Sequence, residues 1–204
     1  SFLPFIEQGG GSNNWTVSGC LTDTGSAMLA NDPHLALQMP NIWYETHLNC
    51  PEMDVIGASL PGTPCIVLGH NRHIAWGVTS AMVDVQDLFI EQFHKENTRL
   101  YLRDGQWVEA ETRTIEIEVK GRPNYIEEIP VTVHGPVIAN LPGTEGYRLA
   151  MQWVGHQPAN TLKCILAINK ASNWEEFRRS LPDWQLPALN FVYADTNGNI
   201  GYQL

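Results

Sequence analysis

Positive charge is scarce in this chain. Its 204 residues carry 12 Lys and Arg against 22 Asp and Glu, a formal net charge of −10. Nucleic acid is bound largely by basic side chains that neutralise phosphate, so this balance argues against a nucleic-acid partner. It argues equally against an anionic membrane surface. Long apolar runs are also missing, and none approaches the ~20 residues of a membrane span. The opening SFLPFIEQ lacks the basic start and apolar core of a signal peptide. Cysteine is sparse: Cys20, Cys50, Cys65 and Cys164 contain no C-x-x-C pair, which argues against zinc ribbons and redox motifs. A Cys50–Cys65 disulfide would suit an oxidising compartment, but buried free thiols are the expected state. There is no internal repeat. The remainder, 43% hydrophobic and 17% charged, suits a folded core in one large domain or two small ones.

The stretch that organises the rest is GGGSNNW, Gly9 to Trp15. A glycine run gives the backbone unusual freedom. With no Cβ on Gly11, the Ser12 hydroxyl can approach the Gly11 carbonyl carbon. Attack there would pass through an ester and end in chain cleavage, leaving Ser12 with a free α-amine. Such an amine titrates near ~7.7–8.0 and suits general-base work at neutral pH. Ser12 would then supply both nucleophile and base. Taken alone, the same stretch reads as a flexible linker entering a strand.

Downstream the chain is rich in strand signals. Residues Thr16–Gly19 and Ala27–Ala30 flank a Thr22–Gly25 turn. Ile42–Leu48, Asp54–Ala58, Ile66–Gly69, His73–Ser80 and Asp87–Phe93 read as strands, with Pro61-Gly62 as a turn. Tyr101-Leu102 and Gln106–Val108 flank an Asp104-Gly105 hairpin. Ile115, Ile117 and Val119 alternate with Glu116, Glu118 and Lys120, as a strand with one wet face would. Tyr125–Val133 returns, and His134–Ile138 closes this stretch. A helix is expected over Pro158–Lys170, and a second after a capping box with Ser172 as N-cap and Glu175 at N3. The end, LNFVYADTNGNIGY, reads as strand, Asn197-Gly198 turn and strand, and stopping at Leu204 without a tail suggests truncation.

GGGSNNW, LANDPHL, IWYETHL, VIGASLPGTP, GHNRHIAWGVTSAMVDVQD, HGPVI and NFVYADTNGNIGY occur in an order and at a spacing that resemble the penicillin amidase family of N-terminal-nucleophile hydrolases. No single segment is diagnostic; their succession overturns the linker reading of Gly9–Ser12. The resemblance implies an α+β fold, the αββα sandwich of these hydrolases, seen here as a partial, β-rich piece. It implies that 1–11 is the end of a propeptide or linker. Residues 12–204 would be the N-terminal part of the catalytic β-subunit domain. The partners implied are a small-molecule amide and the remainder of the parent chain, its α segment and the rest of its β segment. Periplasmic or extracellular location follows only by analogy.

The same resemblance implies cleavage between Gly11 and Ser12 and hydrolysis of a linear amide by Ser12. His34 falls where the family places a residue beside the nucleophile. Ser80 matches the position whose backbone N–H forms half of the oxyanion hole. Leu35, Leu68, Val78 and Met82 fall where the acyl pocket is lined, although each also reads as plain core. No cofactor is required. Asp84, Asp87 and the Gln86 carbonyl match a structural calcium turn in part of the family, and hard oxygens suit that cation. The rest of the oxyanion hole would lie beyond Leu204, so the piece itself is expected to be inactive.

Other residues carry blander expectations. His70 and His73 stand at i, i+3 without an evident third ligand, so hydrogen bonding is the expected use. Tyr44 and Trp76 are expected to pack. Two further functions compete. One is a non-catalytic β-rich binding or scaffold module derived from such enzymes. The other is a peptidase using a Ser12–His34 dyad without self-processing.

Overall fold

The computed structural model describes residues 11–35 and 38–204, so the expectation for residues 1–10 falls outside the described residues. The chain divides into two compact units. One comprises the part up to Val83 together with Pro158–Leu204, and the other is Asp84–Gln157.

The first unit opens with β1 (Ser12–Val17) and β2 (Met28–Pro33), an antiparallel pair. Then come β3 (Tyr44–Cys50), β4 (Met53–Ser59), β5 (Leu68–Asn71) and β6 (Ile74–Ser80). The second unit holds β7 (Gln86–Gln92), β8 (Leu100–Arg103), β9 (Gln106–Glu109), β10 (Glu111–Ile117), β11 (Tyr125–Thr132), β12 (Gly135–Asn140) and β13 (Tyr147–Trp153). The chain returns to the first unit with α1 (Thr161–Lys170), α2 (Trp174–Ser180), β14 (Leu189–Asp195) and β15 (Ile200–Gln203).

A six-stranded antiparallel sheet in the order β15-β14-β6-β5-β4-β3 forms the centre of the first unit. Strand alternation separates its faces. Ile74, Trp76 and Val78 of β6 join Phe191 and Tyr193 of β14 in a buried core with Cys164, Ile168 and Phe177 from the helices. On the other face, a Cβ on Gly77 would come within 2.9 Å of the Asn31 side chain, so β2 lies directly against β6 there. The described layers are therefore helices, sheet and hairpin.

Paired asparagines join helix to sheet. The buried Asn169 amide of α1 accepts from Ile66 N–H at 2.8 Å and donates to Ile66 C=O at 2.8 Å. Asn71 Nδ2 donates to the carbonyls of Asn169 and Ala171, satisfying groups the helix end leaves open. Asn71 Oδ1 accepts from His73 N–H and Ile74 N–H. This is the structural use of the asparagine in GHN.

Several expectations need correction. The cap of α2 sits one residue later: Asn173 accepts from Glu176 N–H at 2.9 Å. Glu176 in turn accepts from both Ser172 N–H and Ser172 Oγ at 2.9 Å. The extended conformation of Asn173 makes it the N-cap, which moves the N3 role from Glu175 to Glu176. Tyr44 does not pack and is 66% exposed, whereas Trp76 is buried and donates its indole N–H to Val67 C=O. Only Cys65 and Cys164 are buried free thiols, while Cys20 and Cys50 are free and exposed. Burial pushes the Cys65 thiol up and, together with nearby Asp183, lifts that of Cys164 to about 12.

The second unit carries a sheet in the order β10-β11-β12-β13-β7 and a separate β8-β9 hairpin. Its small core is Phe93, Tyr101 and Ala110. Arg148 lies over the Phe93 ring at 4.4 Å. The pairing of β13 with β7 was not anticipated. Every residue of β10 is exposed, so its alternation marks no buried face among the described residues.

Candidate active site

β1 begins at Ser12, and its register with β2 sets Ser12 opposite Pro33. One step beyond, the His34 backbone N–H donates to Gly11 C=O at 2.9 Å. The expected cleavage bond is thus held against the NDPHL segment by the hairpin ladder.

Ser12 opens into a cavity of about 440 Å³. That volume lies within the usual range for small-molecule sites, ~300–1,000 Å³. Its walls are chiefly apolar, with Leu35, Val78, Leu162, Ile165 and Leu189 among them, and Ser12 and Ser80 share it. Trp43 also lines it, and its buried indole N–H has no hydrogen-bond partner among the described residues. A comparable cleft of about 450 Å³ is bordered by Asn49, Asp54, Arg72, His73 and Lys170 and is polar. There Asp54 accepts from His47 at 2.7 Å and Arg72 at 2.6 Å, which hold its carboxyl well below the usual range. That acid is engaged in its own ion pairs, and the cleft offers no serine. The apolar cavity at Ser12 is the better site for chemistry.

Ladder alternation directs the Ser80 amide. Ala81 N–H donates to Ala188 C=O, so Ala81 is the hydrogen-bonded neighbour of β14 and Ser80 faces the other way. On that side β5 pairs with β6 only at Ala75 and Trp76. No described strand pairs with the edge at Ser80, and Ser80 lines the cavity. The Ser80 hydroxyl is occupied elsewhere, donating to Met82 Sδ at 3.4 Å.

The remaining expected residues divide. Leu35 and Val78 line the cavity. Leu68 is partly buried against the central core and is not among the lining residues. Met82 is 86% exposed at a positive φ of 52° and stands outside the lining. His34 contributes its backbone: Pro33 and Leu35 line the cavity, but His34 between them does not. Its ring meets Asp32 Oδ2 at 2.9 Å on the exposed surface. His70 Nδ1 lies 3.1 Å from Asn71 C=O, a hydrogen bond of the kind expected for it.

In the second unit, Asp84, Gln86 and Asp87 are exposed, and Gln86 N–H approaches Asp84 Oδ1 at 3.4 Å. Two carboxylates and a carbonyl are hard donors of the right kind for calcium. They fall short of the ~6–8 oxygens it takes. No group of three or more His, Cys, Asp or Glu suited to a metal occurs among the described residues.

Sequence reasoning missed the α1 wall of the cavity, Thr161, Leu162 and Ile165, and Trp184 beside it. A helical apolar stripe reads as core, and nothing local tells which of its members reach a cavity.

Comparison with known proteins bears on this arrangement. Residues 2–204 match the family described as penicillin amidase. The acyl-homoserine lactone acylase QuiP of Pseudomonas aeruginosa is 32% identical over 205 residues, 95% of this chain and 24% of the relative. The penicillin acylase 2 proenzyme of Pseudomonas sp. strain SE83 is 35% identical over 196 residues, 95% of this chain and 25% of the relative. The solved thermostable penicillin G acylase of Alcaligenes faecalis superposes with a TM-score of 0.80 at 29% identity, over 93% of this chain and 34% of that one. The fold is that of these hydrolases, a partial α+β N-terminal-nucleophile sandwich. This chain spans about a quarter of the length of the curated relatives it matches.

Proposed function

We propose, from the premise that this chain belongs to the penicillin amidase family, that it carries the nucleophile of a longer enzyme hydrolysing linear amides. The observation that carries this reading is Ser12, set at the head of β1 and opening into an apolar cavity it shares with Ser80.

Maturation comes first. Ser12 Oγ bonds to the Gly11 carbonyl carbon, the Gly11–Ser12 C–N bond breaks, and the Oγ proton passes to nitrogen. Water then opens the ester, returning the hydroxyl to Ser12 and leaving a Gly11 carboxylate. The freed amine, with an ordinary value near ~7.7–8.0, takes the Oγ proton in each later turnover. The substrate carbonyl is attacked, and the Ser80 N–H donates to the developing oxyanion. The α-ammonium passes the Oγ proton to the substrate's departing amine, and water then releases the acyl group as a carboxylic acid and returns the hydrogen to Ser12 Oγ.

An apolar acyl chain suits the walls formed by Leu35, Val78, Leu162 and Ile165. The relatives' names support a homoserine lactone or a β-lactam nucleus as the leaving amine. No step needs calcium. Asp84, Asp87 and the Gln86 carbonyl would supply part of a structural calcium site, completed by oxygens from elsewhere. While Gly11–Ser12 stays joined, the Ser12 nitrogen is an amide and accepts no proton, so unprocessed protein is inactive. The dyad alternative fits less well, because the His34 ring is engaged with Asp32 and lies outside the cavity lining.

The test is to express the full-length protein, weigh its fragments, and assay it with N-acyl-homoserine lactones and a penicillin. Splitting before Ser12 together with amide hydrolysis is expected, and Ser12→Ala should abolish both. Amide hydrolysis by protein that remains uncut would overturn the proposal.

A further inference from the structure

We propose that Asn31 is a positioning residue that sets the gap between the Ser12 hydroxyl and the Ser80 N–H. The inference rests on the amidase reading above and deepens it.

The edge of β6 nearest the cavity is made by its even-numbered residues. Trp76 satisfies that edge with Gly69 of β5, and there the pairing ends. At Val78 the place of a neighbouring strand is taken by a side chain. Asn31 Oδ1 accepts from Val78 N–H at 2.7 Å, and Asn31 Nδ2 donates to Val78 C=O at 2.9 Å. The next N–H on this edge is that of Ser80. Asn31 therefore caps the ladder one step short of the proposed oxyanion donor, which has no hydrogen-bond partner among the described residues.

The same Nδ2 donates to Asn13 C=O at 3.2 Å. Asn13 follows Ser12 directly, so one planar amide spans from the nucleophile's strand to the oxyanion donor's strand. Asn31 itself pairs across the hairpin with Asn14, which further fixes its height relative to β1. Gly77 completes the seat: a Cβ there would lie 2.9 Å from both Cβ and Oδ1 of Asn31. No positive φ demands glycine at this position, so its role is to admit the amide.

An asparagine in a strand is ordinarily read as a surface residue, and a single bond to a backbone group would support no more. Reciprocal bonds to one residue, a third bond beside Ser12 and a glycine seat set Asn31 apart. Catalytic geometry tolerates little slack, and an ångström of misplacement can cost about 10²-fold in rate.

The experiment uses the full-length protein and variants that disturb the amide from either side. Asn31→Asp keeps the shape but sets a carboxylate oxygen against Val78 C=O. Gly77→Ala leaves Asn31 in place and pushes its amide off the seat. Both should lower kcat by about 10²–10³-fold, the size of losing one oxyanion donor. KM for the same amide should change less than threefold, because the apolar walls are untouched. Circular dichroism and thermal melting should report folded protein for at least one variant. A kcat within threefold of wild type in either folded variant overturns the inference, as does a loss carried mainly by KM. Failure of both variants to fold overturns it too, because the amide would then serve folding rather than geometry. An inactive wild-type protein, or an active Ser12→Ala variant, would instead sink the amidase reading itself.

Discussion

At the scale of single residues, Gly11 separates two explanations for a glycine. A Cβ built there meets nothing within 4 Å among the described residues outside its chain neighbours. Packing among the described residues therefore gives no reason for glycine, whereas the proposed attack of Ser12 Oγ on the adjacent carbonyl does. We predict that Gly11→Ala leaves the melting temperature of the uncut protein unchanged or slightly raised, since it narrows the unfolded ensemble. The same change should slow splitting before Ser12 by about tenfold or more, ~1.4 kcal/mol of barrier. Intact mass against time reads the rate, and melting reads the stability. Splitting at the wild-type rate would mean that the missing Cβ does not matter to the attack. Ser12 was legible because a glycine run preceded it and the later segments followed in order. Asn31 was not legible: its partners on β6 lie 47 residues away, and no local pattern announces them.

At the scale of elements, α1 is held in place by polar bonds as well as by its apolar stripe. Asn169 is 1% exposed and Ile66 is 0% exposed. Removing the amide with Asn169→Ala strands both the N–H and the C=O of Ile66 away from water, at ~1–3 kcal/mol for each unpaired group. A loss of about 2–4 kcal/mol in urea unfolding is expected, with Asn169→Asp recovering only the bond to Ile66 N–H. A loss under ~0.5 kcal/mol would place these groups in contact with water after all. Most elements were legible one at a time. The Asp104-Gly105 and Asn197-Gly198 turns carry local chemistry, and their strands followed from it. The cap of α2 slipped by a residue because Ser172 and Asn173 compete for one role, as do Glu175 and Glu176. Strand order was not legible: β14, from late in the chain, pairs with β6, and only the folded register reveals it. Alternation in β10 misled because the pattern records two kinds of face, not whether anything covers one of them.

At the scale of the whole molecule, the titrating groups that fold in unusual states bound the pH range of stability. Asp195 is buried, which alone would raise its pKa. Hydrogen bonds from Asn199, Tyr193 and Asn197 outweigh that burial and hold the carboxyl below its ordinary value. Glu176 is lowered in the same direction by Ser172 N–H and Oγ. A carboxyl depressed by folding stabilises above its unfolded value, ~4, and that contribution disappears as pH falls through the folded value. The alkaline side has the opposite sign. Burial raises the Cys164 thiol to about 12 and lifts Tyr193 as well, with Asp195 adding to the latter. Their protonated forms are favoured by folding, so their contribution is complete below the unfolded thiol value, ~8.5, and is lost as pH rises toward the folded values. Urea midpoints measured across pH should therefore form a plateau between ~4.5 and ~8 and decline on both sides. Asp195→Asn should make the acid limb shallower, with the Asp54 and Glu176 contributions remaining, even though it lowers the plateau by disturbing the Asn197-Gly198 turn. Cys164→Ala should make the alkaline limb shallower, with the Tyr193 and Cys65 contributions remaining, at the cost of a small cavity. Limbs whose slopes survive both substitutions would mean that other groups set the range, and the assignment to these buried side chains would fall.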